Sequence, residues 1–94
     1  MASVRRLIWD TWNVAHIARH HVTPEEVEGV FQRVPMFSRT YKGRLRVVGS
    51  TRRGRMLTVI LAPMAVGAYY PVTARPATRK ERQRYRQWRG GDSA

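Results

Sequence analysis

The spacing of apolar residues changes at Phe37, and this change limits the folds that the 94-residue chain can adopt. Before Phe37, the apolar residues have the helical spacing i, i+3, i+4, i+7, which predicts a helix with one buried face. These residues are Val27, Val30, Phe31 and Val34. After it, apolar and polar residues alternate, as they do in half-buried strands. A last helix follows the strands. The order helix, helix, antiparallel sheet, helix predicts an α+β domain.

Three capping signals indicate where the helices begin. Asp10 is expected to cap a helix over 11–20, because its carboxylate can accept from the free N–H groups of the first turn. Thr23-Pro24-Glu25-Glu26 combines a cap, a proline at the first position and a glutamate at the third. Thr78-Arg79-Lys80-Glu81 is another capping box, and it predicts a last helix that extends to about Trp88.

The first helix has an apolar side and a polar stripe. We expect burial of the apolar side, which consists of Val14, Ala15, Ile17 and Ala18. Asn13, His16 and His20 form the stripe, which either faces a ligand or forms an internal network. His16 and His20 have the i, i+4 spacing of a metal pair, but the sequence offers no evident third ligand, so no metal site is predicted. His21 is expected to cap the end of the helix.

Strands and turns are expected between Phe37 and Pro76. The predicted strands cover 44–51, 56–62 and 68–75, separated by a cationic turn at 52–55 and a loop at 63–67. Pro71 suggests that the last of them lies near a sheet edge. The apolar run Leu7–Trp9 is either a first strand or the lead into the first helix.

The length favours a single domain over 1–94, with a core at about 7–88 and a frayed tail at 89–94. The chain has no cysteine, which excludes disulfides, thiolate zinc sites and cysteine nucleophiles. The most apolar stretch, 56–72, is interrupted by proline and glycine, so we interpret it as two strands and not as a membrane span. No leader peptide is predicted, and we expect a cytoplasmic protein.

Arginine supplies most of the basic excess. Sixteen Arg and two Lys against six acidic residues give a formal net charge of +12. Such a field attracts polyanions, so the candidate partners are nucleic acid, an anionic membrane or an acidic protein. The cations that we predict to contact a nucleic acid are Arg44, Arg46, Arg53, Arg55, Arg79, Lys80 and Arg82.

The last helix separates aromatic from cationic side chains. Glu81, Tyr85 and Trp88 share one stripe, and we expect its aromatic rings to pack on the sheet. A second stripe is cationic and is either solvated or bound to a partner: Arg79, Arg82, Arg86 and Arg89.

Arg75 ends a predicted strand directly before the last helix. A guanidinium at this position can reach a phosphate at the helix N-terminus, where backbone N–H groups add to the attraction. The alternative is a structural ion pair with a carboxylate such as Glu26.

The residues needed for RNA cleavage without a metal are available in the sequence. A base takes the 2′-OH proton, cations stabilise the charged phosphorane, and an acid protonates the leaving 5′-oxygen. His20, Glu81 or Tyr85 could act as base or acid, and Arg75 or Arg79 could hold the phosphate. Composition alone does not decide whether the reaction occurs.

Three blocks of sequence, in order, resemble the BrnT-type toxins of bacterial type II toxin–antitoxin modules. The blocks are Trp9-Asp10 with Asn13 and His16–Val27; Val48–Thr51 with Gly54-Arg55; and Thr73–Arg75 with Ala77-Thr78, Lys80–Arg82 and Tyr85. Together they cover about residues 7–88. Two features depart from the family: His21 stands where glycine is common, and the loop before Arg44 is shorter and lacks acidic residues.

The resemblance implies a RelE-like fold, in which helices flank a small twisted antiparallel sheet. It also implies an endoribonuclease that arrests translation and is neutralised by a BrnA-type antitoxin, in a heterotetramer of two toxins and two antitoxins. The catalytic residues it implies are His20, Arg75, Glu81 and Tyr85, with Arg79 and Lys80 in support, and no cofactor. Two other hypotheses remain: a non-catalytic nucleic-acid-binding domain, and a module whose basic face binds an acidic protein.

Overall fold

The computed structural model describes residues 4–90, which form three helices and a five-stranded sheet. In chain order the elements are β1 (Arg6–Leu7), α1 (Thr11–Ala18), α2 (Pro24–Phe31), β2 (Met36–Arg39), a short 3-10 turn (Tyr41–Gly43), β3 (Leu45–Ser50), β4 (Met56–Ala65), β5 (Ala68–Pro76) and α3 (Arg79–Gly90). The tail predicted at 89–94 begins inside α3, and its residues 91–94 lie outside the described part of the chain.

The strands form one sheet in the order β1-β5-β4-β3-β2. The pairs formed by β2, β3, β4 and β5 are antiparallel, whereas the short β1 pairs in parallel with β5. The α+β class and the order of helices and strands are therefore confirmed. For the run Leu7–Trp9, the interpretation as a first strand is confirmed for Leu7 alone, and the other two residues lead into α1.

Side-chain alternation divides the sheet into two faces. Leu57, Val59 and Leu61 of β4 point to the face that α1 and α2 cover, where each is fully buried. Ile17, Val27 and Val30 supply the helical side of this core, and Val47 and Ala74 complete it from the neighbouring strands.

The opposite face is covered only in part. Tyr85 of α3 packs against Val48 and Ala77, with Met36 and Met56 beside them. Beyond this cluster the same face carries Arg46, Ile60 and Thr73, which lie side by side on β3, β4 and β5. This uncovered part of the sheet leaves room for a ligand. None of the helices in residues 4–90 is long and apolar enough to cross a membrane.

The capping signals are confirmed, but α1 is shorter and buries different residues than expected. The helix ends at Ala18, Val14 is 37% exposed, and Asn13 is fully buried. The reason is a reciprocal cap: the Asn13 backbone N–H donates to Asp10, whose own N–H donates to the Asn13 side chain. The Asn13 amide also donates to the carbonyl of Ile8, so this buried polar group is satisfied.

The chain leaves α1 through a left-handed residue. His21 has a φ of 59°, a conformation that glycine adopts most easily, and its N–H donates to the Ala18 carbonyl. A histidine therefore occupies a backbone conformation that favours glycine.

For the second helix, the predicted N-terminal half is confirmed, but the predicted end is wrong. Thr23 and Glu26 cap each other, with Pro24 in the first turn, and Val27 and Val30 are fully buried. Val34, predicted in the core, is 58% exposed. The helix stops at Phe31, so Val34 lies in the connection to β2 and no longer follows the helical period.

The strands β4 and β5 form a longer hairpin than expected. The predicted loop at 63–67 is wrong, because β4 continues to Ala65 and the turn needs only Val66 and Gly67, whose φ is 76°. Pro63 is tolerated beside a register shift between Pro63 and Ala65. Pro71 lies on an interior strand, but β1 pairs only with Ala68 and Tyr69, so at Pro71 one side of β5 has no strand partner among the described residues.

Candidate functional site

Arg75 is held at the end of β5 by Glu81 in the first turn of α3. Arg75 pairs in register with Thr58 of β4, so both side chains lie on the partly covered face. Its Nη1 donates to Glu81 Oε1 at 2.8 Å and its Nη2 donates to Oε2 at 2.9 Å. This bidentate ion pair fixes the plane of the guanidinium.

Glu81 is the most constrained carboxylate of the site. Its Oε1 also accepts from the Thr58 hydroxyl at 2.8 Å and from the Thr78 backbone N–H at 2.8 Å. The hydrogen bond from Arg75, aided by those from Thr78 and Thr58, outweighs burial and lowers the pKa of Glu81 to about 2. The carboxylate is therefore ionised at neutral pH, and Oε1 already accepts three hydrogen bonds. This arrangement suits Glu81 to holding Arg75.

Arg75 keeps donors for a ligand. Its Nη1 also donates to the carbonyl of Pro76 at 3.2 Å, whereas its Nε–H and the second Nη2–H have no partner among residues 4–90. These two N–H groups are parallel, which matches two oxygens of one phosphate. The side chain is 34% exposed, and Glu81 raises the pKa of Arg75, so the cation is permanent.

A hollow of 280 Å³ lies beside Arg75 on the uncovered part of the sheet. Its walls are Thr40, Tyr41, Arg44, Arg46, Ile60, Val72, Thr73 and Arg75. The two ion pairs found among residues 4–90 are Arg55–Glu26 and Arg75–Glu81. Because neither involves Arg44 or Arg46, these two cations bring uncompensated positive charge to the hollow. The Nε of Arg46 is buried without a hydrogen-bond partner in the described part of the chain. We call these residues the open-face hollow.

The structure places His20 on the other side of the sheet. It follows the end of α1, which packs through Ile17 on the face opposite Arg75. Its ring is edge-on to His16 with centroids 6.1 Å apart, and its backbone carbonyl accepts from Arg55. The His20 imidazole thus lies apart from Arg75 and Glu81.

Tyr85 is close to Glu81 in sequence, but it lies on the buried side of α3, where it packs against the sheet. It is 9% exposed, and its hydroxyl donates to the Val34 carbonyl and accepts from Arg89 Nη1, each at 3.2 Å. Its position is that of a core residue with a satisfied hydroxyl. Trp88 was expected to pack on the sheet and does not: it is 48% exposed and contacts the Tyr85 ring with centroids 5.9 Å apart.

The turn cations lie at one end of the sheet beside α2. Arg55 forms an ion pair with Glu26 at 3.0 Å and donates to the His21 carbonyl at 2.7 Å. Glu26 is therefore the partner of Arg55. The structural ion pair considered for Arg75 does form, but its carboxylate is Glu81 and not Glu26. Arg53 is exposed and lines a separate hollow with Glu25 and Glu26.

Three predicted cations lie at the start of α3. Arg79 and Lys80 are exposed and directly precede Glu81 in the chain. Arg82 donates to the Ala77 carbonyl at 2.9 Å, which leaves the rest of its guanidinium available. The sequence therefore identified Arg44, Arg46, Arg75 and Glu81 as candidate residues, but it did not predict that they share a face or separate them from His20, Arg53 and Arg55.

Sequence reasoning missed Thr58, Thr73 and Tyr41. Thr58 is fully buried, and its hydroxyl donates to Glu81. In the sequence, the side of the sheet on which Thr58 lies is indicated only by the alternation of side chains along β4. Thr73 and Tyr41 line the open-face hollow. Their roles depend on the pairing register, which composition does not reveal. Within residues 4–90 no three His, Asp or Glu side chains cluster in a way that could hold a metal ion.

Comparison with solved structures supports the fold described above. The crystal structure of the ribonuclease toxin BrnT from Brucella abortus superposes with a TM-score of 0.62 and 21% sequence identity. The match covers 84% of this chain and 100% of the BrnT chain. No protein-family model matches the sequence, and no curated protein matches it. The chain thus has the fold of a BrnT-like protein.

Proposed function

We propose that this protein is a ribonuclease toxin that cleaves RNA at Arg75. The observation that carries the proposal is the guanidinium of Arg75, which Glu81 fixes beside a basic hollow. Two of its parallel N–H groups have no partner among residues 4–90. The likeness in fold to a ribonuclease toxin and the three matching sequence blocks support the same conclusion.

The proposed reaction is metal-independent transesterification. The 2′-oxygen attacks the adjacent phosphorus, the P–O5′ bond breaks, and the products carry a 2′,3′-cyclic phosphate and a 5′-hydroxyl. Water accepts the proton from the 2′-oxygen, and water donates the proton that the leaving 5′-oxygen takes up. Arg75 stabilises the negative charge that develops on the phosphorane, a type of contribution worth about 10²- to 10³-fold in rate.

Glu81 acts in this scheme as a positioning residue. With a pKa of about 2 and three hydrogen bonds to Oε1, it is a weak proton acceptor at neutral pH. Tyr85 is tied to the Val34 carbonyl, and His20 lies on the other face. Electrostatic stabilisation by Arg75 is therefore the principal contribution that we assign to the protein.

A toxin requires a neutralising partner, and we propose a BrnA-type antitoxin in a complex of two toxins and two antitoxins. The support is the net charge of +12, which an acidic partner segment would compensate, and the sequence resemblance. Acting on translated RNA, the protein would work in the cytoplasm.

Expression without an antitoxin tests the proposal. We expect the wild type to arrest bacterial growth, and Arg75→Ala to relieve the arrest at an equal level of soluble protein. Arg33→Ala is the matched control, because Arg33 is exposed after α2 and contributes nothing to the hollow. Normal growth with soluble, folded wild-type protein, or continued arrest by Arg75→Ala, would contradict the proposal.

A second candidate is a nucleic-acid-binding domain without catalysis. One observation favours it: the three side chains predicted as acid or base are saturated, buried or on the opposite face. This candidate predicts salt-dependent RNA binding with no cleavage at any pH.

A further inference from the structure

We propose that the open-face hollow is a nucleotide subsite next to Arg75, in which Arg46 binds the neighbouring phosphate and Tyr41 stacks on a base. This inference rests on the proposed function, since it assumes that single-stranded RNA reaches Arg75. It adds what the strand meets beyond the scissile phosphate.

The argument begins with Arg46. Its Nε is buried and has no hydrogen-bond partner among residues 4–90, although a buried donor without a partner is costly. Neither of the two ion pairs in this part of the chain involves Arg46. Arg46 lines the hollow without a carboxylate partner in residues 4–90, so its guanidinium suits an anionic ligand there.

The pairing register sets the distance from Arg75. Arg46 faces Ile60, Ile60 faces Thr73, and Thr73 is two residues before Arg75 on the same face of β5. Two residues along a strand span about 6.4–6.8 Å. Arg46 and Arg75 are also two strands apart, because β4 lies between β3 and β5. At about 4.8 Å per strand, their Cα atoms are about 12 Å apart, a distance that two long arginine side chains on one face can span to contact neighbouring phosphates.

Tyr41 supplies an aromatic surface at the rim. It lines the same hollow, is 77% exposed, and has no ring partner in the described part of the chain. Lys42 and Gly43 both have positive φ, of 64° and 72°, and the turn is closed by the hydrogen bond from Thr40 N to the Arg44 carbonyl at 2.9 Å. This tight turn presents the ring beside Arg44. Exposed aromatic rings next to basic side chains are the usual stacking surfaces for single-stranded bases.

Binding of an uncleavable single strand tests the subsite. The probe is a fluorescein-labelled eight-nucleotide 2′-O-methyl RNA, titrated with the full chain and followed by anisotropy. Tyr41→Ala is expected to weaken binding by about five- to a hundredfold, the range for loss of one stacked base, whereas Tyr41→Phe keeps the wild-type affinity. Arg46→Met, which retains the buried stem of the side chain, is expected to weaken binding at least about tenfold.

A probe with one abasic nucleotide separates stacking from charge. A series of probes carries the abasic nucleotide at each position in turn. The probe whose abasic position lies over Tyr41 is expected to bind the wild type more weakly, whereas its affinity for Tyr41→Ala is the same as that of the complete strand. Trp12→Ala is the aromatic control and Arg33→Ala the cationic one, because both residues are exposed and outside the hollow. Neither control changes the affinity.

The outcomes distinguish the subsite from the function on which it rests. If Arg75→Ala weakens binding while Tyr41→Ala and Arg46→Met do not, the subsite is wrong and the proposed function stands. If the folded wild type binds neither this probe nor a longer RNA, the proposed function fails as well. Equal losses for Tyr41→Ala and Tyr41→Phe would also overturn the stacking role.

Discussion

At the scale of single residues, the site depends on how Glu81 is held. Its carboxylate accepts from Arg75, Thr58 and Thr78, so the side chain that anchors α3 also orients the guanidinium. Thr78 and Glu81 are in turn the capping box of the helix, with Glu81 N donating to the Thr78 hydroxyl at 3.2 Å. One residue therefore joins a helix cap to the candidate phosphate contact.

This arrangement predicts acid sensitivity. The pKa of Glu81 is about 2 in the fold against an ordinary 4.5, so its stabilisation is complete above about pH 4.5 and is lost as the pH falls toward 2. A fall of this size corresponds to about 3 kcal/mol, and solvent screening of the partly exposed ion pair reduces the contribution to the order of 2 kcal/mol. Glu81→Gln should lower the unfolding free energy at pH 7 and flatten its dependence on pH between 5 and 2. Urea unfolding across that range measures both effects, and an equally steep acid loss in the variant would exclude this assignment.

At the scale of elements, two glycines show where the packing is tight. Gly29 lies inside α2 with space for a methyl group, since a Cβ there would lie 3.5 Å from the Arg52 side chain. Gly49 lies in β3 under Val30 and Pro35, where a Cβ would lie 2.9 Å from Val30 Cγ1. The contact between α2 and β3 thus requires glycine on the strand and merely allows it on the helix.

Alanine at the two positions should act in opposite directions. Gly29→Ala is expected to stabilise the protein by about 0.5–1 kcal/mol through helix propensity. Gly49→Ala is expected to destabilise it by about 1–3 kcal/mol, because the buried packing must shift. Denaturant midpoints of the two variants and the wild type check the prediction. A neutral Gly49→Ala would show that α2 and β3 are less closely packed than described.

How much the sequence revealed also differs between elements. Capping residues identified all three helix starts, because caps depend on local hydrogen bonds between neighbours. The ends of α1 and α2 and the exposure of Val14 and Val34 were missed, since they depend on where the chain turns to meet the sheet. For Asn13, one of the two predicted alternatives holds, because its side chain is part of an internal network. The extension of β4 through Pro63 was missed for the same reason: a register shift accommodates the proline.

The candidate site was predicted only in its residue types. Arg75 and Glu81 lie six positions apart, and their pairing follows from the short link between β5 and α3. The separation of His20 from them could not be seen, because it depends on α1 and α3 lying on opposite faces of the sheet. Thr58 became evident only from the strand register.

At the scale of the whole molecule, the net charge of +12 should dominate encounter with RNA, while the hollow determines where the strand lies. Contacts from Arg44, Arg46 and Arg75 to three phosphates predict a slope of about −2 for log K against log salt concentration. Arg46→Met should reduce the slope by about 0.7, and Arg33→Ala should leave it unchanged. Anisotropy titrations between low and physiological salt measure it. An identical slope in Arg46→Met would remove Arg46 from the phosphate contacts.

Cleavage itself is the most direct test of the proposed activity. Purified protein is incubated in EDTA with end-labelled RNA, free and on translating ribosomes, with Arg75→Ala and Arg33→Ala in parallel and the product ends determined. We expect cleavage in at least one of the two substrates, leaving a 2′,3′-cyclic phosphate, retained by Arg33→Ala and reduced by about 10²-fold or more by Arg75→Ala. Folded wild-type protein that cuts neither substrate, or undiminished cleavage by Arg75→Ala, would contradict a ribonuclease centred on Arg75.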